Sequence, residues 1–178
     1  AGHGIQESEE GFWLPVDAEL EDDYTWIANS YITRKLREIQ ANNILVVADS
    51  CFSGTLTRSA NSISEPNEKP LGLDQYDFFY KKKSRMALTS GGVEPVWDGG
   101  GADGHSVFAA SFINVLEEQQ GPISATEIFQ NLRDPVLKNS LALGSPQTPT
   151  LHAIPLSDHV DPDFVFVGTA ATDNSALE

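Results

Sequence analysis

A histidine held between two glycines, Gly2-His3-Gly4, and the only cysteine, in the run Asp49-Ser50-Cys51-Phe52-Ser53-Gly54, are the residues of this sequence best suited to chemistry. A thiolate is a strong nucleophile, and an imidazole within reach can take the thiol proton or pair with the anion. Each residue has an ordinary reading when taken alone, since a free cysteine usually packs as a small hydrophobe. Their surroundings weigh against that reading. Cys51 stands among small and polar residues just after an apolar run, whereas a core cysteine would sit inside the run itself. The glycines beside His3 let backbone amides approach a ligand closely. His3 precedes Cys51 by 48 residues, so only a fold can bring the two together.

The elements that must do so can be read around them. Ile44-Leu45-Val46-Val47-Ala48 is a continuous apolar run, the pattern of a strand covered on both faces in a parallel sheet. It ends at Asp49, so the polar run around Cys51 lies beyond the carboxyl end of a central strand, where open α/β sheets place their sites. Upstream, Asp22 and Asp23 read as the start of a helix with the stripe Ile27, Tyr31, Ile32, Leu36 and Ile39, broken at Asn42-Asn43. The first 33 residues hold no Lys or Arg and carry eight acids from Glu7 to Asp23, which reads as a solvated acidic loop around Phe12-Trp13-Leu14-Pro15-Val16.

Downstream, residues 55–83 read as a long polar loop ending in Lys81-Lys82-Lys83, followed by a short strand from Arg85 to Ser90 and a glycine-rich loop from Gly91 to Gly104. Ser106 can cap a helix with the stripe Phe108, Phe112, Val115 and Leu116. Ser124 and Glu127 have capping-box spacing, with Ile123 and Ile128 as a hydrophobic staple, and Pro135 should kink or shorten that helix. Asp163-Phe164-Val165-Phe166-Val167 reads as a last strand, with a frayed tail after Gly168. The order helix, strand, loop, strand, helix, helix, strand predicts an α/β domain with helices flanking a mainly parallel sheet.

Composition narrows the functions. The 178 residues fit one compact domain, and 40% hydrophobic content can bury a core. Against 26 acids stand 11 bases, a formal net charge of -15 that argues against nucleic acid and against an anionic membrane. No apolar run reaches the roughly 18 residues of a membrane span. One cysteine excludes an internal disulfide and a multi-cysteine metal site, and it suits a reducing, cytoplasmic compartment. His105, His152 and His159 form no metal motif, Gly99-Gly100-Gly101 lacks the Gly-Lys-Ser/Thr of a phosphate loop, and there is no Gly-x-Ser-x-Gly elbow.

Ala1-Gly2-His3-Gly4 and Asp49-Ser50-Cys51-Phe52-Ser53-Gly54 together resemble the two catalytic motifs of the caspase/metacaspase superfamily, and the metacaspase and bacterial caspase-like branch in particular. The order of a histidine about 50 residues before the cysteine is the caspase order, although the Gln-Ala-Cys-x-Gly of caspases proper is replaced here. Trp13-Leu14-Pro15-Val16-Asp17, Leu88 through Phe108, and Asp163 through Val167 extend the resemblance over nearly the whole chain. It implies a three-layer α/β/α sandwich whose first strands, before the catalytic histidine, are absent from this sequence. The implied domain spans residues 1–168, with 55–83 as the linker between large- and small-subunit segments and 169–178 as a tail.

The resemblance also implies roles. Cys51 is the nucleophile, His3 the general base and then acid, and the backbone amides of Gly4 and Cys51 form the oxyanion hole. Asp49, two residues before the nucleophile, lines the S1 pocket and selects Arg or Lys. The expected substrates are proteins and peptides, with neither nucleic acid nor membrane as a partner. No cofactor is expected. Asp17, Asp22 and Asp23 are similar to the acidic calcium positions of some metacaspases, but their spacing does not reproduce an EF-hand loop. Two rivals stand beside the peptidase: a catalytically idle caspase-like scaffold, and a flavodoxin-like binding module with an incidental cysteine. The separation of His3 from Cys51 discriminates against the binding module, and labelling by a peptidyl-Arg electrophile decides activity.

Overall fold

The computed structural model describes residues 2–50, 80–92, 99–160 and 163–167. Cys51, the loop from 55 to 79, part of the glycine-rich loop and the tail lie outside the described residues. The described chain is a mixed α/β structure with three α-helices.

The acidic amino-terminal region is folded where the sequence suggested a loop. Strands β1 (His3–Glu7) and β2 (Glu10–Leu14) form an antiparallel hairpin with Glu7 opposite Glu10. Its two-residue turn, Ser8-Glu9, has φ of 48° and 72°. Positive φ at both turn positions is the primed geometry that matches strand twist, and it usually calls for Asn-Gly. Ser-Glu carries no such signal, which is why the hairpin was invisible in the sequence. A two-residue strand, β3 (Ile27–Ala28), completes this sheet against Phe12 and Trp13.

Helix α1 (Asn29–Glu38) therefore begins later than the apolar stripe suggested, because Ile27 is taken by β3. Asp22 caps a single 3-10 turn at Asp23–Thr25, and the free amide of Ser30 is met by Glu10 Oε1 at 2.9 Å. That bond ties the hairpin to the helix.

The central sheet has the order β4 (Asn43–Ala48), β5 (Ser84–Thr89), β7 (Thr150–Ala153). β4 and β5 are parallel, as expected, while β7 runs antiparallel to β5. A mainly parallel sheet is thus not what the described strands form: β4–β5 is the one parallel strand pair among them, and the remaining ladders are antiparallel. β7 escaped the sequence reading because it has four residues between Pro149 and Pro155.

Both faces of this sheet carry apolar residues. On one face Met86, Leu88 and Leu151 pack with Val107 and Phe108 of α2 (Val107–Glu117) and with Ile128, Leu132 and Val136 of α3 (Ala125–Ala142). On the other, Ala87 and Ile154 pack with Trp13, Leu36 and Val46. The α3 capping box forms as the spacing predicted, with Ser124 Oγ accepting from Glu127 N at 3.2 Å and Glu127 Oε2 accepting from Ser124 N at 2.8 Å. Pro135 lies inside α3, which runs on to Ala142. The short strands β6 (Ile123–Ser124) and β8 (Val165–Phe166) pair antiparallel beside α3.

Arg85, 1% exposed, is the largest fully buried side chain among the described residues. Its guanidinium donates to Asn42 O at 2.7 Å and Ile39 O at 3.1 Å. A buried cation at the carboxyl end of α1 satisfies carbonyls the helix leaves open and favours its dipole. It locks α1 and β4 to the start of β5.

Candidate active site

The carboxyl end of β4 meets the start of β1. Gly2 and Ser50 face each other as a parallel bridge, and the Gly2 amide donates to Asp49 O at 3.2 Å. His3 follows Gly2 as the first residue of β1, exposed and opposite Leu14; Gly4 is buried opposite Trp13. Cys51, the residue after Ser50 in the chain, lies outside the described residues. The structure thus brings the histidine segment and the Asp49-Ser50 segment together by backbone pairing.

Two serines from the other half of the chain hold the same segment. Ser50 N donates to Ser90 Oγ at 3.2 Å, and Ser90 N donates to Ala48 O at 2.9 Å. Ser90 is fully buried at the end of β5. Next to it, Thr89 Oγ1 donates to Gly91 O at 3.0 Å and lies 2.8 Å from Thr150 Oγ1. A hydroxyl has one proton, so Thr150 is the donor in that second bond. Hydroxyl bonds therefore stitch the ends of β4, β5 and β7 beside the segment leading to Cys51.

Asp49, half-buried, accepts from Ser106 Oγ at 2.5 Å. Ser106 is the N-cap of α2, and its Oγ in turn accepts from Ala109 N at 2.9 Å. The two ion pairs among the described residues, Lys35–Glu38 and Arg37–Asp158, leave Asp49 out. Its side chain meets a neutral donor there, the Ser106 hydroxyl.

A sequence profile of the caspase domain family matches residues 1–160. The chain belongs to the caspase domain family. No curated protein sequence matches it. The family is one of cysteine peptidases that act on protein substrates, so the hydrolytic reading of the two motifs rests on the match as well as on their residues.

Within this caspase domain, nothing in the two motifs points to Ser106 and Ser90 as partners of the Asp49-Ser50 segment. Ser106 was legible only as a helix cap; its bond to Asp49 spans 57 residues, and a hydroxyl gives no pattern that announces such a partner. Asp17 and Asp23 are exposed, and Asp22 spends its carboxylate on Tyr24 N at 3.2 Å. Among the described residues no group of three or more His, Cys, Asp or Glu side chains is disposed to hold a metal ion. No helix among them is long and apolar enough to cross a membrane. An open groove of about 800 Å³ runs between α2 and α3, lined by Gly101, Asp103, His105, Asn114 and Asn139; neither His3 nor Asp49 lines it.

Proposed function

We propose that this caspase domain is an active cysteine endopeptidase that cleaves after Arg or Lys, with Cys51 and His3 as its dyad. The observation that supports it most is the Gly2–Ser50 bridge, which pairs the residue before His3 with the residue before Cys51. A flavodoxin-like module with an incidental cysteine would have no reason to align these two segments.

In the proposed reaction the Cys51 sulfur attacks the scissile carbonyl carbon as His3 holds the thiol proton. A C–S bond forms and the carbonyl oxygen becomes an oxyanion, met by the backbone amides of Gly4 and Cys51. The C–N bond then breaks as His3 delivers its proton to the leaving amine. Water, deprotonated by His3, cleaves the thioester and restores the thiol. Asp49 supplies a carboxylate for the P1 guanidinium or ammonium, a pairing in which Arg can bind bidentately. That Asp49 has no cationic partner among the described residues favours this role. The described core on both faces of the central sheet is compatible with the three-layer α/β/α arrangement of the proposed fold.

The test is covalent labelling by a peptidyl-Arg electrophile. The expected result is one adduct, on Cys51, lost in Cys51→Ala. An intact pair of motifs that takes no adduct from Arg-, Lys- or Asp-based probes would identify the idle scaffold instead.

A further inference from the structure

The contact between Asp49 and Ser106 carries more than helix capping. A serine hydroxyl has a single proton and two lone pairs. At Ser106 one lone pair accepts the Ala109 amide at 2.9 Å, as an N-cap requires. With that lone pair committed, the proton is left for Asp49 Oδ2, 2.5 Å away.

Ser106 is itself held. It is 6% exposed and bridges Gly100, and the Gly101 amide donates to His105 O at 3.0 Å. A Cβ on Gly101 would come within 2.3 Å of Ser106 O, so that close approach needs glycine. The cap residue is therefore clamped between a glycine loop and the first turn of α2, and its hydroxyl can turn little.

We propose that Ser106 is a positioning residue for substrate specificity: it fixes the rotation of the Asp49 carboxylate, so that a P1 guanidinium meets its remaining lone pairs in one orientation. This rests on Asp49 forming the S1 floor. Arginine depends on that orientation more than lysine does, because its planar fork binds a carboxylate along two parallel bonds whereas an ammonium acts as a point charge. Ser106 thus sets the preference for Arg over Lys, not the chemistry at Cys51.

The experiment is steady-state kinetics on otherwise identical peptides with P1 Arg, Lys or Gln, for the wild type and for Ser106→Thr, Ser106→Gly, Ser106→Asp and Asp49→Ala. Glycine is a tolerated N-cap, and aspartate a good one, so α2 keeps its start in both. Ser106→Gly is expected to raise KM for P1 Arg about tenfold, roughly the worth of one charge-assisted hydrogen bond, and to raise KM for P1 Lys less. Its kcat should stay within about twofold of the wild type. Ser106→Asp, which sets a like charge against Asp49, should raise both KM values further. Ser106→Thr, which keeps the hydroxyl, should restore the wild-type Arg-to-Lys ratio.

Three results overturn the proposal and are distinguishable. If Asp49→Ala loses Arg cleavage while Ser106→Gly and Ser106→Asp keep the wild-type KM and ratio, Asp49 is the S1 acid but Ser106 does not position it. If Asp49→Ala cleaves after Arg as well as the wild type, the S1 reading itself fails. An equal fall in kcat for all three peptides in Ser106→Gly would also overturn it, because the serine would then be supporting the fold around the nucleophile.

Discussion

Gly2 and Ser50 lie opposite one another across a parallel bridge, each one residue before a member of the proposed dyad. The bond from Gly2 N to Asp49 O, at 3.2 Å, joins the start of the hairpin to the end of the central strand. His3 then leads directly into β1, whose pairing with β2 anchors it against Leu14. The histidine is exposed but its backbone is fixed on both sides, which suits a group that must hold and release a proton at one place.

Replacing the dyad should separate chemistry from folding. Cys51→Ala is expected to abolish peptide cleavage, and His3→Ala to lower kcat/KM by about a hundred- to ten-thousand-fold, the usual worth of a positioned acid/base. Both variants should unfold at nearly the wild-type denaturant concentration, since His3 is exposed and Cys51 follows the apolar run of β4 in the sequence rather than standing inside it. Undiminished cleavage by Cys51→Ala would sink the assignment.

Asp49→Ala should remove cleavage after Arg and Lys far more than it lowers stability. Profiling P1 Arg, Lys and Asp peptides checks this. A wild-type preference for P1 Asp would show that the specificity belongs to the other branch of the superfamily.

Self-processing is expected just before β5, and the structure narrows where. Lys81 and Lys82 are exposed, whereas Lys83 is half-buried and its carbonyl accepts from Val160 N at 3.0 Å. Ser84, on the far side of the Lys83 peptide bond, is fully buried. A protease must take both residues of the scissile bond into its cleft, so a cut is expected after Lys81, where the next residue, Lys82, is also exposed, rather than after Lys82 or Lys83. Mass spectrometry of wild-type protein beside Cys51→Ala reads the position directly. Intact wild-type mass after long incubation of an active enzyme would rule processing out.

Stability should fall on mild acidification through His152. Burial holds this imidazole below its usual range, and its Nδ1 has no hydrogen-bond partner among the described residues. The folded state then binds the proton less readily than the unfolded chain. The contribution of His152 is full above the unfolded value, about 6.5, and is lost as pH falls from there toward the lowered folded value. Urea unfolding from pH 8 to pH 5 should show a steeper loss for the wild type than for His152→Gln. Equal slopes would remove His152 as the cause.

The two motifs, strands β4 and β5, the cap of α2 and the capping box of α3 were legible in the sequence because each has a local cause, although β4 is only partly buried, with Val47 exposed. A run of apolar residues defines β4, and one hydroxyl followed three residues later by a carboxylate defines the start of α3. The hairpin β1–β2 was not legible, because its turn uses Ser8 and Glu9 in a conformation usually reserved for glycine and asparagine. Nor was the direction of β7, since four residues between prolines carry no sign of which neighbour they will join. The sequence by itself determined the chemical groups, their order and the strand that presents them. Only the tertiary structure decided that Gly2 bridges Ser50, that Ser90 holds the Ser50 amide and that Ser106 meets Asp49. Those contacts join residues 40 or more positions apart. They form through single hydrogen bonds whose partners are chosen by the packing of whole elements, and no local pattern encodes them.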